Sequence, residues 1–152
     1  MLDELVTISR LTDLPLADLR PLLAESRAQG FDFLDRLVSG YENGRNRFNH
    51  PDEALFGVYA GTQLIAIGGL NRDPYLPDGA TGRVRHVYVL AAWRRLGVGR
   101  LLLDAIIAEA RRHYRRLTLR TMTDEANRFY CALGFQTTPR LDGATHHLVF
   151  AE

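Results

Sequence analysis

The feature that most constrains this sequence is a strand pattern followed at once by two glycines, a long amphipathic helix and a second strand pattern. Residues 83–90, RVRHVYVL, are rich in β-branched and aromatic residues, which is typical of a strand. Residues 98–113 place apolar side chains at helical spacing, and residues 115–121, RRLTLRT, predict the second strand. Because a crossover helix joins parallel strands, the sequence predicts a parallel pair at the centre of a sheet.

The other segments predict antiparallel strands around this unit. Residues 54–60 and 63–71 are apolar runs separated by Gly61-Thr62, which indicates a hairpin. The predicted elements are a strand at 4–11, helices at 12–30 and 31–44, strands at 54–60 and 63–71, a loop at 72–82, a strand at 83–90, a helix at 98–113, a strand at 115–121, a helix at 124–133 and a closing hairpin at 135–139 and 144–150. This order predicts an α/β (α+β) fold with a mixed, mostly antiparallel central sheet and a βαβ crossover.

Length and composition favour one globular domain over residues 1–152. The net charge of +1 gives no basis for nucleic-acid binding, and no apolar run is long enough to span a membrane. The first ten residues lack a signal-peptide pattern, and Cys131 is the single cysteine, so we expect a cytoplasmic protein without an internal disulfide. His146 and His147 alternate along a strand and point to opposite faces, so we expect no metal site there.

Gly97 and Gly99 lie at the start of the predicted helix, where free backbone N–H groups and the helix dipole favour an anion. Arg94, Arg95 and Arg100 add positive charge beside them. The pattern predicts a phosphate-binding loop, while a plain loop before a helix is the alternative for a lone Gly-x-Gly. No Gly-Lys-Ser/Thr follows, which excludes a Walker loop, and a third glycine of a dinucleotide fingerprint is absent because residue 102 is leucine.

The segment RRLGVGR (94–100) resembles the Arg/Gln-x-x-Gly-x-Gly/Ala motif with which the GNAT family of N-acetyltransferases binds the pyrophosphate of acetyl-CoA. The strand RVRHVYV before it and the segment EANRFYCALGF (125–135) after the next strand lie where that family has them. The resemblance covers residues 4 to 150. It implies helices on both faces of the sheet and an acetyl-CoA-dependent N-acetyltransferase, in which the primary amine of a small molecule, amino-acid-like or anionic, attacks the thioester directly.

The same resemblance assigns residues to roles. The two central strands would separate, and the pantetheine arm would lie along residues 88–90, where an N–H near Val89 polarises the thioester carbonyl. Tyr130 would protonate the leaving thiolate, and Asn127, one helical turn earlier, would hold the pantetheine arm; the alternative is that Tyr130 only packs in the core. The implied acetyl-CoA-binding residues are Tyr88, Val89, Arg94, Arg95, Leu96, Gly97, Val98, Gly99, Arg100 and Asn127.

The sequence departs from the family where a general base is often found. Arg83 and Arg85 occupy those strand positions, and arginine accepts no proton at physiological pH. His86 directly follows Arg85, so the alternation of side chains along a strand turns it to the face opposite the two arginines unless a bulge intervenes. We therefore expect a water chain, or a carboxylate such as Glu42 or Asp73, to take the proton.

The arginines also bear on the acceptor. If Arg83 and Arg85, with His86 beside them and with Arg45 and Arg47 from the segment GRNRF, face the acceptor, they favour an amine that carries a carboxylate or a phosphate. The alternative is that all four arginines are solvated. Two other functions stay open: a non-catalytic acyl-CoA-binding or regulatory module, and a protein N-terminal acetyltransferase. Homodimers are common in the family, but the sequence shows no interface.

Overall fold

The structure, a computed structural model, describes residues 5–138, 141 and 143–150. The order of elements is the predicted one. The elements are β1 (Thr7–Leu11), α1 (Leu16–Ala28), α2 (Phe33–Glu42), β2 (Ala54–Ala60), β3 (Gln63–Arg72), β4 (Thr81–Val89), a 3₁₀ turn (Ala91–Trp93), α3 (Val98–Arg111), β5 (Arg116–Leu119), α4 (Asp124–Ala132), β6 (Gln136–Thr137) and β7 (His146–Val149). Across the described ranges, none of the helices has both the length and the apolar character that crossing a membrane requires.

The boundaries differ from the predicted ones in small ways. The loop predicted over 72–82 is shorter, because Asp73 N–H donates to the Thr81 carbonyl (3.0 Å) and extends the pairing of its flanking strands. Strand β5 is four residues long rather than seven, since the Thr121 N–H turns to the Thr145 hydroxyl (3.0 Å). Glu4, Pro139, Arg140 and Asp142, which belong to the predicted first strand and closing hairpin, lie outside the described residues.

The seven strands form one sheet in the order β1-β2-β3-β4-β5-β7-β6. Only β4 and β5 run parallel, as the crossover predicts, and the other neighbours are antiparallel. The parallel pairing is short: Thr81–Arg83 pair with Arg116–Thr118. Strand β4 continues to Val89 without a partner on that side, and we call the resulting opening between β4 and β5 the splay.

Helices cover both faces of the sheet, as expected. A Cβ on Gly68 would lie 3.1 Å from the Leu102 and Ile106 side chains of α3, so α3 packs directly on one face. The neighbouring Gly69 faces the other way, where a Cβ would lie 2.5 Å from the Phe48 ring in the segment after α2. Helices α1 and α2 pack on that second face, which we call the α1–α2 face.

A β-bulge in β4 changes the direction of His86. Gly69 pairs with Arg85 and Ile67 pairs with Tyr88, so two residues of β4 lie opposite Gly68 alone. His86 adopts a left-handed φ of +59°, and its ring lies on the α1–α2 face, where it contacts Phe33 of α2. Simple alternation would turn His86 to the face opposite Arg85. The bulge, which is the exception expected to change this, takes up the extra residue and leaves His86 on the same face as Arg85.

Candidate active site

The start of α3 has the backbone of an anion site. Gly97 is its N-cap residue and adopts a φ of +89°, a left-handed conformation that glycine alone adopts without strain. A glycine also offers no side chain to cap the helix, so the first backbone N–H groups stay available. We call residues 94–100 the cradle.

Gly99 has a packing reason to lack a side chain. A Cβ at this position would lie 3.1 Å from the ring of Phe129 on α4. The glycine therefore lets α4 pack closely against the first turn of α3. This contact brings the helix that carries Asn127 and Tyr130 next to the cradle.

The arginines of the cradle divide into two groups. Arg94 turns away: its Nε donates to the Val89 carbonyl (2.9 Å) and its guanidinium lies 5.2 Å from the centre of the Tyr88 ring. Arg95 and Arg100 are exposed, and neither forms an ion pair within the described part of the chain. These two side chains, rather than Arg94, are available to bind a phosphate. Of the two apolar residues beside them, Val98 is buried and Leu96 is exposed.

The end of β4 presents one free backbone donor to the splay. Leu90 N–H bonds to the Ile65 carbonyl of β3 (2.9 Å). Successive N–H groups of a strand point in opposite directions, so the Val89 N–H points away from β3. Tyr88 anchors this end of the strand, because its hydroxyl donates to Glu25 of α1 (2.5 Å), and burial raises its pKa.

Asn127 and Tyr130 lie on the same side of α4. The Asn127 carbonyl oxygen accepts a hydrogen bond from Nε2 of the buried His146 (2.7 Å), so the amide nitrogen remains as a donor. The Tyr130 ring packs against Phe129 and Phe135, with centroid distances of 5.0 and 5.6 Å. Its hydroxyl has no partner among the described residues, and burial raises its pKa, which keeps the phenol protonated.

A polar pocket of about 200 Å³ opens on the α1–α2 face. We call it the arginine pocket. Its lining residues are Gly44, Arg45, Asn46, Arg47, Asn49, His50, Glu53, Asn71, Arg72, Pro74 and Arg85. The structure thus brings together three of the arginines expected at the acceptor: Arg45 and Arg47 from the segment after α2, and Arg85 beside the bulge of β4.

Arg85 is a half-buried cation without a counter-ion. It forms no ion pair or hydrogen bond within the described part of the chain. Burial lowers its pKa, and the nearby charges of Arg83 and Arg36 act in the same direction. By contrast, Arg72 pairs with Asp52 (2.6 Å), and Arg47 donates to the Tyr41 carbonyl (3.0 Å). Arg85 is therefore the pocket cation most in need of an anion.

Arg83 and His86 do not line this pocket. Arg83 is buried, donates to the Gly143 carbonyl (2.5 Å) and lies 3.8 Å from Asp73, although its Nη1 has no hydrogen-bond partner among the described residues. His86 Nδ1 donates to the Phe33 carbonyl (3.0 Å), and burial lowers its pKa to about 3. Both side chains thus have structural contacts of their own.

The two carboxylates named as proton acceptors are poorly placed. Asp73 is buried, and its oxygens accept from the Thr118 hydroxyl and from the Tyr75 N–H (2.7 Å). Glu42 is exposed at the end of α2 and is not part of the pocket lining.

A carboxylate and two hydrogen-bonded amides of the pocket are not predicted by the sequence motifs. Glu53 is 8% exposed, and its Oε2 accepts from the Asn71 amide (2.8 Å). The side chains of Asn71 and Asn46 hydrogen-bond each other in both directions, at 2.8 and 2.9 Å. The signals available were a polar run, NRFNHPDE, directly before β2, and an asparagine that interrupts the apolar strand β3 near its end.

The family model for the "Acetyltransferase (GNAT) family" matches residues 17–135. The chain belongs to this family. Its members transfer an acyl group from an acyl-CoA, and the predicted family and fold class are both confirmed. A comparison with curated proteins finds no match.

Solved structures support the same assignment. A protein of Exiguobacterium sp. 255-15, described as an acetyltransferase, is 36% identical and superposes with a TM-score of 0.83, covering 95% of this chain and 93% of its own. An acetyltransferase of Streptococcus agalactiae is 17% identical with a TM-score of 0.79, covering 97% of this GNAT chain and 99% of its own. A protein of Klebsiella pneumoniae described as an acyl-CoA N-acyltransferase is 19% identical with a TM-score of 0.67, covering 96% and 98%. The latter two show the fold alone.

Proposed function

We propose that this GNAT protein transfers the acetyl group of acetyl-CoA to the primary amine of a small molecule that also carries an anionic group. The observation that carries the proposal is Arg85, a half-buried guanidinium in the arginine pocket with no counter-ion among the described residues. A carboxylate or phosphate on the acceptor would supply the missing charge.

The cradle has the features needed to bind the diphosphate of acetyl-CoA. The N-terminus of α3 offers backbone N–H groups and the positive end of the helix dipole. Arg95 and Arg100 add two guanidiniums that form no ion pair with any of the described residues. Asn127 has an amide nitrogen free to hold the pantetheine arm, and the Val89 N–H points to the side of β4 along which the arm would lie.

The chemistry follows from these positions. The amine nitrogen attacks the thioester carbonyl carbon, a C–N bond forms, and the Val89 N–H stabilises the negative charge on the carbonyl oxygen. The C–S bond then breaks, and the thiolate takes a proton from Tyr130, which burial keeps protonated. The amine attacks in its neutral form, after its ammonium form has given a proton to water. After the attack, the nitrogen gives its surplus proton to water, and water returns a proton to Tyr130.

The test is thiol release from acetyl-CoA across primary amines offered in pairs, with and without a carboxylate or phosphate. We expect the protein to acetylate the anionic member of each pair. The variant Arg85→Gln should lower kcat/KM for that amine at least about tenfold, because a charge-assisted hydrogen bond contributes about 1.5–3 kcal/mol. Arg111→Gln, on α3, is the charge-matched control. Equal turnover of neutral and anionic amines would contradict the anionic acceptor.

The two alternatives give other outcomes in the same experiment. Stabilisation by acetyl-CoA without thiol release on any amine would indicate a non-catalytic acyl-CoA-binding module. Turnover of peptides with a free N-terminus, but of no free small amine, would indicate a protein N-terminal acetyltransferase.

A further inference from the structure

The arginine pocket holds two opposite charges that do not pair with each other. Arg85 on β4 and Glu53, the residue directly before β2, both line the pocket. Among the described residues, no hydrogen bond or ion pair joins the side chains of Glu53 and Arg85. Neither forms an ion pair within the described ranges of the chain.

The scaffold keeps Glu53 away from the arginines. Its Oε2 is fixed by the Asn71 amide, and Asn71 is in turn fixed by the two hydrogen bonds to Asn46. Asn46 also accepts from the Phe48 N–H (3.2 Å), which anchors it to the backbone. Oε1 of Glu53 has no partner among the described residues, and because Glu53 lines the pocket, this oxygen is left to contact a ligand.

Holding two such charges without an ion-pair partner is costly, because each has lost part of its hydration without gaining an opposite charge. A ligand that brings both complementary charges removes both costs at once. Both residues line one pocket of about 200 Å³, so a small ligand can reach both.

We propose that the arginine pocket recognises a zwitterion of amino-acid size, with its ammonium group on Glu53 and its anionic group on Arg85. The inference rests on the proposed function only in taking this zwitterion as the acetyl acceptor. It narrows that function, because neutral amines and amines without a nearby anion lack one of the two contacts. It also makes Glu53, which no motif indicated, a determinant of acceptor specificity.

Binding tests the inference without turnover. The common L-amino acids are screened by thermal shift, and each one that stabilises the protein is compared by calorimetry with its carboxamide and with its deamino carboxylic acid. We expect both analogues to bind at least about tenfold more weakly than the zwitterion, since each loses one charge-assisted contact. Stabilisation by no zwitterion, or equal binding of the single-charge analogues, would overturn the inference.

Variants separate the two contacts. Glu53→Gln keeps an oxygen for the Asn71 amide, and should weaken the zwitterion at least about tenfold while leaving the deamino acid unchanged. Arg85→Gln should weaken both ligands. Asp104→Asn, an exposed carboxylate on α3, removes the same charge outside the pocket and should change neither. Equal losses of both ligands in Glu53→Gln would mean that the residue only maintains the pocket structure.

The inference and the proposed function fail in different ways. A zwitterion that binds through Glu53 and Arg85 but releases no thiol from acetyl-CoA leaves the pocket assignment intact and refutes the acetyl transfer. Acetylation of amines that lack either charge, with no preference for zwitterions, leaves the transferase intact and refutes the pocket assignment.

Discussion

At the scale of single residues, burial decides which chemistry a side chain can perform. Tyr130 lies among Phe129, Phe135 and His146, so its phenol stays protonated. The same surroundings fit an aromatic that only packs in the core. The hydroxyl distinguishes the general acid from a packing residue. It has no hydrogen-bond partner among the described residues, and an aromatic ring that only packs in the core does not need a hydroxyl.

Replacing the hydroxyl, Tyr130→Phe, should lower kcat about 100-fold or more if Tyr130 is the general acid. The free energy of unfolding should change little, because no internal hydrogen bond is lost. Tyr114→Phe is the control: its hydroxyl donates to the Asp52 carbonyl (2.6 Å), so this variant should lose about 1 kcal/mol of stability with kcat retained. Steady-state kinetics and urea unfolding check both, and a wild-type kcat in Tyr130→Phe would leave the residue a packing role.

At the scale of elements, local pattern predicted the strands and helices but neither the bulge of β4 nor the arginine pocket. The alternation in RVRHVYV breaks at Arg85 and His86, two adjacent polar residues, but such a pair alone does not specify a bulge. The bulge arises in the pairing with β3, where Gly68 lies opposite two residues. The pocket likewise brings Glu53 together with Asn71 and Arg85, which are distant in the sequence. Periodicity predicts local secondary structure and not such long-range contacts.

The bulge predicts a pH dependence of stability. His86 titrates near 6.5 in the unfolded chain, whereas burial holds its pKa at about 3 in the folded protein. Between these pH values the unfolded chain binds a proton that the folded chain does not, so stability falls as the pH falls through this window. From pH 7.5 to pH 5 the contribution of His86 to this loss is about 2 kcal/mol.

The variant His86→Asn isolates that contribution. Asparagine tolerates the left-handed φ of +59° and keeps an N–H donor for the Phe33 carbonyl. Urea unfolding at pH 7.5 and pH 5 should therefore show a loss about 2 kcal/mol smaller in the variant than in the wild-type protein. An equal loss of stability in the variant and the wild-type protein would mean that His86 has the same pKa in the folded and unfolded states.

At the scale of the whole molecule, the ligand sites are assembled from distant parts of the chain. The cradle follows the end of β4, α4 contributes Asn127 and Tyr130, and the arginine pocket adds the segment after α2. The proposed acetyl-CoA site is therefore assembled only in the native state, and a ligand that binds only the native state stabilises it by mass action.

Acetyl-CoA at 100 times its Kd should add about 2.7 kcal/mol to the free energy of unfolding, which corresponds to a rise in Tm of about 5–10 °C for a domain of this size. Gly97→Ala should reduce that rise, since alanine strains the left-handed backbone that aims the cradle N–H groups. Gly79→Ala is the matched control, because Gly79 also has a positive φ (+70°) but lies in the exposed loop between β3 and β4. Both variants should lose about 1 kcal/mol without ligand, and only Gly97→Ala should lose part of the ligand-induced rise. Scanning calorimetry with and without acetyl-CoA measures both quantities, and an equal ligand response in the two variants would place the diphosphate elsewhere than at the start of α3.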